Sequence, residues 1–138
     1  MTSIPIREHD LCDPPRIGLG SGDFWEPIFA REAQHVAQMR AATPRIDCHI
    51  TALRIGDLAI VANGAELFAQ PALDIQAASP IAKTWVVTLA NEYIGYVPTA
   101  AAYFAGGYEV RTARSSFLAP DAAQKIVQAS LLALNALL

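Results

Sequence analysis

The sequence predicts an α/β or α+β fold with one mixed sheet, a hairpin and packed helices, including a long C-terminal helix. Three observations carry that reading. Residues 46–62 alternate apolar and polar side chains on either side of Gly56-Asp57. Residues 85–90, Trp-Val-Val-Thr-Leu-Ala, form a short and nearly continuous apolar run. Residues 120–138 repeat apolar side chains at helical spacing. The chain divides into an extended arm or loop, residues 1–24, and a single domain, residues 25–138.

The arm is expected from the density of Pro5, Pro14, Pro15, Gly18, Gly20 and Gly22. Its Gly18-Leu19-Gly20-Ser21-Gly22 run lacks the Lys-Ser/Thr pair and the preceding strand of a phosphate loop, so it reads as plain loop. Residues 26–42 read as a helix. Pro27 suits its first turn, and Trp25, Ile28, Phe29, Ala33, Val36, Ala37 and Arg40 recur every three or four residues to form one stripe. Thr43-Pro44 ends it, because a residue before proline avoids the helical region. The pair Gly56-Asp57 between Leu53-Arg54-Ile55 and Leu58-Ala59-Ile60-Val61 predicts a tight hairpin with positive φ at the glycine.

After a turn at Asn63-Gly64-Ala65, residues 66–78 read as a helix bent or shortened by Pro71. The run at 85–90 suits a strand covered on both faces. Residues 91–99 form a polar-aromatic loop, 100–104 one or two helical turns, and Tyr108-Glu109-Val110 a short strand. Pro120 and Asp121 belong in the first turn of the last helix. Its buried stripe is Ile126, Val127, Leu131, Leu134, Leu137 and Leu138.

Composition narrows the function. The chain has 138 residues and a net charge of −3, from 10 basic against 13 acidic side chains. That balance argues against nucleic acid as a partner, since phosphate-binding surfaces carry a basic excess. Hydrophobic residues make up 53% and charged residues 17%, below the usual ~25%. Such a chain owns more apolar surface than it readily covers, which points to a partner chain or a homo-oligomer. Cys12 and Cys48 do not make a disulfide scaffold, and neither lies in a C-x-x-C pair. No run reaches the ~18 apolar residues of a transmembrane segment. The charged start is unlike a signal peptide, so a cytoplasmic location is expected of the chain as written.

Two segments could carry chemistry. Asn91-Glu92-Tyr93-Ile94-Gly95-Tyr96-Val97-Pro98-Thr99 follows a buried strand, where α/β proteins place functional loops. With Tyr103 and Tyr108 it holds four tyrosines within sixteen residues. Their rings could equally seal the loop against the core. Glu66, after Gly64-Ala65, stands at a strand's exit. It could cap the following helix, bind a metal, or act as an acid or base. His9 lies in the arm, His35 beside the apolar stripe of the first helix, and His49 on a strand face with Asp47, where the two could pair. No H-E-x-x-H or H-x-H spacing occurs. Ser115-Ser116 lacks the flanking glycines of a nucleophile elbow.

Taken together, Leu53–Val61, Gly64-Ala65-Glu66, Asn91–Thr99, Tyr103 and Gly107-Tyr108-Glu109 resemble the neutral/alkaline non-lysosomal ceramidase family, and most of all its bacterial members. The resemblance covers residues 25–138 and corresponds to the C-terminal portion of the family's catalytic domain. It implies hydrolysis of the N-acyl amide bond of ceramide or a related lipid, with a zinc cofactor held by two histidines, a glutamate and a tyrosine. The glutamate falls on Glu66 and the tyrosine on Tyr96, a position the resemblance also places in the catalytic set. Such a zinc lowers the pKa of its bound water to about 7 and polarises the amide carbonyl. It would also favour the phenolate of Tyr96. The family's two histidine motifs lie upstream of the matching region and do not occur here, and its Pro-Gly-Glu turn reads Gly64-Ala65-Glu66. The resemblance therefore implies an amidohydrolase with two of four zinc ligands, inactive without a His-bearing half. The alternative is a non-catalytic α/β module that self-associates or binds a partner chain. Family members are often secreted or surface-associated.

Overall fold

The computed structural model describes residues 1–8 and 22–138. The Gly18–Gly22 run, apart from Gly22, lies outside the described residues, as do His9 and Cys12. The elements run β1 (Thr2–Pro5), α1 (Gly22–Ala42), β2 (Arg45–Cys48), β3 (Thr51–Ile55), β4 (Leu58–Ala62), β5 (Glu66–Leu67), α2 (Ala69–Ala78), β6 (Lys83–Val87), β7 (Tyr96–Val97), α3 (Ala100–Ala105), a 3₁₀ turn (Tyr108–Val110) and α4 (Ala122–Asn135). The α/β class and the C-terminal helix are as the sequence predicts. The mixed sheet is β3-β4-β6, antiparallel across the hairpin and parallel between β4 and β6. Two strand pairs stand beside it, antiparallel β1-β2 and parallel β5-β7. Gly56 has φ 62°, as the two-residue hairpin requires.

The first residues are extended but not a loose arm. β1 runs along β2, and Ile4 and Ile6 are buried in a core with Val36, Cys48, Val97, Phe117, Leu118 and Ile126. Arg7 is 3% exposed and ties distant segments together. Its Nε donates to the Leu118 carbonyl at 3.1 Å and its Nη1 to the Val110 carbonyl at 2.7 Å. Its Nη2 reaches Ser116 Oγ at 2.9 Å and the Tyr103 hydroxyl at 3.4 Å. The guanidinium also lies 5.3 Å from the centre of the Tyr103 ring.

A second core lies under the three-stranded sheet. Ala59 and Val61 of β4 meet Ile75 of α2, Ile81 and Leu134 of α4. In α4, Ala122, Ile126, Ser130 and Leu134 are buried at four-residue spacing, so one stripe faces inward. Leu138 is exposed, contrary to the predicted stripe. Of the two effects expected of Pro71, a bend or a shortening, the helix shows the shortening. Residues 66–67 are strand, so the helix starts at Ala69 and the proline falls in its first turn, where no N–H is needed. Residues 108–110 form a 3₁₀ turn rather than the predicted strand.

The first helix starts at Gly22, earlier than predicted, and Pro27 lies inside it. Its inner side is held partly by charge. Glu26 grips Arg111 through both oxygens at 3.0 and 3.1 Å. The Arg111 guanidinium also lies 4.4 Å from the centre of the Phe29 ring. Glu32 accepts from Arg114 Nη2 at 2.6 Å, and from its Nε and backbone N–H at 3.0 Å. These bonds, the side-chain ones first, draw the Glu32 carboxyl down to about 2. A carboxyl held below its unfolded value stabilises the fold at neutral pH and loses that contribution as pH falls. The window runs from about 4.5 down to about 2. Arg114 is largely exposed, so solvent screens the pair and the effect is modest. Glu32→Gln is expected to flatten the acid unfolding curve across that window, read by circular dichroism. An unaltered slope would assign acid sensitivity to other groups.

Candidate functional site

The site grows from two neighbouring strand exits. Beyond β4, Asn63 N–H donates to the Val87 carbonyl at 3.0 Å, and Ala90 N–H donates back to Asn63 at 2.9 Å. Leu89 N–H donates to the Ala65 carbonyl at 3.1 Å. The buried Asn63 side chain accepts from Ala65 N–H at 3.0 Å, closing the turn before Glu66. A second ladder then begins. Ile94 N–H donates to Gly64, Glu66 N–H to Gly95 and Phe68 N–H to Val97. In this parallel pair Glu66 lies directly across from Tyr96, and in-register partners project to the same side of a sheet.

Glycine makes the approach of these segments possible. Gly95 has φ 80°, and a Cβ there would lie 2.7 Å from the Ser115 carbonyl oxygen. At Gly64 a Cβ would run into the Glu92 side chain and lie 2.9 Å from its carbonyl oxygen. Leu89 and Asn91 have φ 56° and 67°, left-handed values unusual outside glycine. Backbone strain of this kind gathers where a structure holds functional groups in place.

The Tyr96 hydroxyl meets that of Tyr108, and its titration senses the Glu66 carboxylate nearby. The two phenol oxygens are 3.5 Å apart, and the rings meet edge to face at 5.7 Å. The Tyr108 hydroxyl, the Glu66 carboxylate and desolvation, in that order, push the Tyr96 phenol well above its ordinary value. Without a metal the phenol thus stays protonated, a neutral partner for the carboxylate. Burial, and then the charge of Glu66, raises the Tyr93 phenol as well. Tyr93 and Tyr96 therefore both sense the Glu66 carboxylate, Tyr108 stands against Tyr96, and Tyr93 and Tyr108 are about half exposed. They do not seal the core, whereas Tyr103 does, beneath Arg7. Glu66 is not a helix cap. It lies in β5, and the N-cap of α2 is Phe68, with no side-chain cap bond.

His49 does not pair with Asp47. It sits in the break between β2 and β3 and is held by Glu92, whose Oε1 accepts from His49 N–H at 2.7 Å. The Glu92 Oε2 lies 2.9 Å from His49 Nδ1. The Asp47–His49 face is lost because the strand breaks at residues 49–50. Glu92 is the residue that sequence reasoning passed over, although it packs against Gly64 two residues before Glu66. Its position inside the Asn91–Thr99 motif was the available signal. His35 is exposed on α1. Ser116 is buried, accepting from Arg7 and donating to the Glu109 carbonyl, so it serves the fold. Cys48 is a buried free thiol, pushed up to about 11 chiefly by desolvation.

Comparison with known protein families, curated proteins and solved structures finds no match to this chain.

The site's chemistry is thus set by its own side chains. Among the described residues no group of three or more His, Cys, Asp and Glu side chains gathers as metal ligands would. Glu66 and Tyr96 offer a carboxylate and a phenol oxygen on one side of a strand pair. Those donors suit two corners of a zinc site. They do not make a whole one, because two oxygens without imidazole hold zinc poorly. No helix of the described residues is long and apolar enough to cross a membrane.

Proposed function

We propose that this chain is the C-terminal part of a ceramidase-like, zinc-dependent amidohydrolase acting on the N-acyl amide bond of ceramide or a related lipid. Its role is to hold two oxygen ligands at fixed spacing for a metal whose imidazole ligands come from a His-bearing half. The reading rests on the motif resemblance. It is supported by one observation, the in-register placement of Glu66 and Tyr96 across a parallel strand pair. The same placement gives the chain no activity alone, since no catalytic step can be assigned to a carboxylate and a protonated phenol without a complete metal site.

The test is the coding sequence on the 5′ side, followed by co-expression of any His-rich segment found there with this chain. The expected result is zinc-dependent hydrolysis of a fluorescent N-acyl sphingosine. Glu66→Gln and Tyr96→Phe should each lower it by about two orders of magnitude or more. Absence of such a segment, absence of hydrolysis, or unchanged rates in both variants would overturn the reading. So would tight stoichiometric zinc on the isolated chain.

A further inference from the structure

The three-stranded sheet has one covered face and one open face. Residues facing α2 and α4 include Ala59, Val61 and Thr84, all buried. The opposite face follows from strand alternation. It carries Thr51, Leu53 and Ile55 from β3, Leu58, Ile60 and Ala62 from β4, and Lys83, Trp85 and Val87 from β6. The register makes three rows, of which the middle one is Leu53–Ile60–Trp85. Trp85 is 61% exposed, Ile55 64%, Leu53 42% and Val87 40%. A mixed sheet with a parallel pair is ordinarily covered on both sides.

We propose that this open face is the contact surface of a homodimer, two copies stacking sheet on sheet about a two-fold axis. The exposed side chains amount to on the order of 500 Å², the size of the largest apolar patch on an ordinary monomer. Two copies would bury about 1,000 Å² between them, the lower bound of a specific interface. The area therefore fits a small two-fold interface. Charge fits the same occupant. Lys83 is the single ionised side chain on the face, at one corner, and it is paired with Asp57 at 2.5 Å. A two-fold axis between the stacked sheets opposes no like charges. An anionic lipid surface would call for a basic rim, whereas this chain carries a net charge of −3. Trp85, the largest side chain of the middle row and 61% exposed, is the natural anchor. The dimer does not depend on the metal reading, because Glu66 and Tyr96 are not part of the nine positions.

Sedimentation velocity of the whole chain between about 1 and 200 μM tests it, a range in which a dimer of ordinary affinity shows its equilibrium. A reversible monomer–dimer equilibrium is expected, with Trp85 emission shifting to the blue as dimer forms. Trp85→Glu and Leu53→Lys should each weaken association at least tenfold with circular dichroism unchanged. Should one variant fail to fold, the other and the emission shift of the unaltered chain decide. A monomer at every concentration overturns the proposal. So does a dimer that both variants leave intact. Flotation with phosphatidylcholine vesicles without self-association would assign the face to lipid and overturn it as well.

Discussion

Replacing Gly95 by alanine is expected to destabilise the protein by about 3 kcal/mol or more and to part Glu66 from Tyr96. Two costs add at this position. A left-handed residue with a Cβ costs roughly 1–2 kcal/mol, and here the Cβ would lie 2.7 Å from the Ser115 carbonyl oxygen. The chain cannot yield easily. Glu66 N–H donates to the Gly95 carbonyl at 2.9 Å, and Tyr96 N–H to the Ser115 carbonyl at 2.7 Å. Relief of the clash must break one of them. Gly56→Ala is the control. Gly56 also has positive φ, 62°, but a Cβ there meets nothing within 4 Å. Its expected cost is therefore the conformational one alone, about 1 kcal/mol. Urea unfolding of the two variants measures the difference. Equal losses would mean that the Gly95 crowding relaxes and does not hold the site.

Arg7→Met is expected to cost about 3 kcal/mol or more, from several buried acceptors losing their donor at about 1–3 kcal/mol each, a large part of the stability of an ordinary domain. The substitution keeps an apolar stem but leaves the Leu118 and Val110 carbonyls and the Ser116 and Tyr103 hydroxyls without their donor. Each buried polar group left unpaired carries its own desolvation cost. Arg7→Lys should recover little, because one ammonium cannot reach acceptors that a planar guanidinium spans. Thermal unfolding of the three proteins checks this. A lysine variant near the parent's melting temperature would show that charge, and not the fan of hydrogen bonds, is what matters.

Much of the architecture could be read from local pattern. The hairpin followed from Gly56-Asp57 between apolar runs, and the two strand exits from their position after β4 and β6. Other features needed the fold. The apolar run at 85–90 predicted a strand covered on both faces, yet Trp85 and Val87 face solvent in the monomer. A run of apolar residues reports a preference for burial and not which surface supplies it. The start of α2 is later than the sequence predicts because a two-residue strand, too short for any periodicity, takes Glu66 and Leu67. The pairs Glu26–Arg111 and Glu32–Arg114 join residues more than eighty positions apart, and no local spacing marks them. Arg7 lies in the segment predicted as an extended arm or loop, and its burial has no local signal because its acceptors are backbone carbonyls and hydroxyls of distant segments. At the site, Glu66 and Tyr96 were legible as motif residues. Their register, the part played by Tyr108 and the hold of Glu92 on His49 come from the β5-β7 ladder and the glycines that let it form.

The central claim is that the Glu66 carboxylate and the Tyr96 phenol lie together on one side of the β5-β7 pair, close enough for one to set the ionisation of the other. Carbon-labelled tyrosine NMR through an alkaline titration tests it most directly, with the Tyr96 signal assigned by its loss in Tyr96→Phe. Tyr96 should ionise well above the ordinary phenol value of 10 and move measurably down toward it in Glu66→Gln. A Tyr96 that ionises at the ordinary value in the parent chain, or one indifferent to Glu66→Gln, would contradict the account.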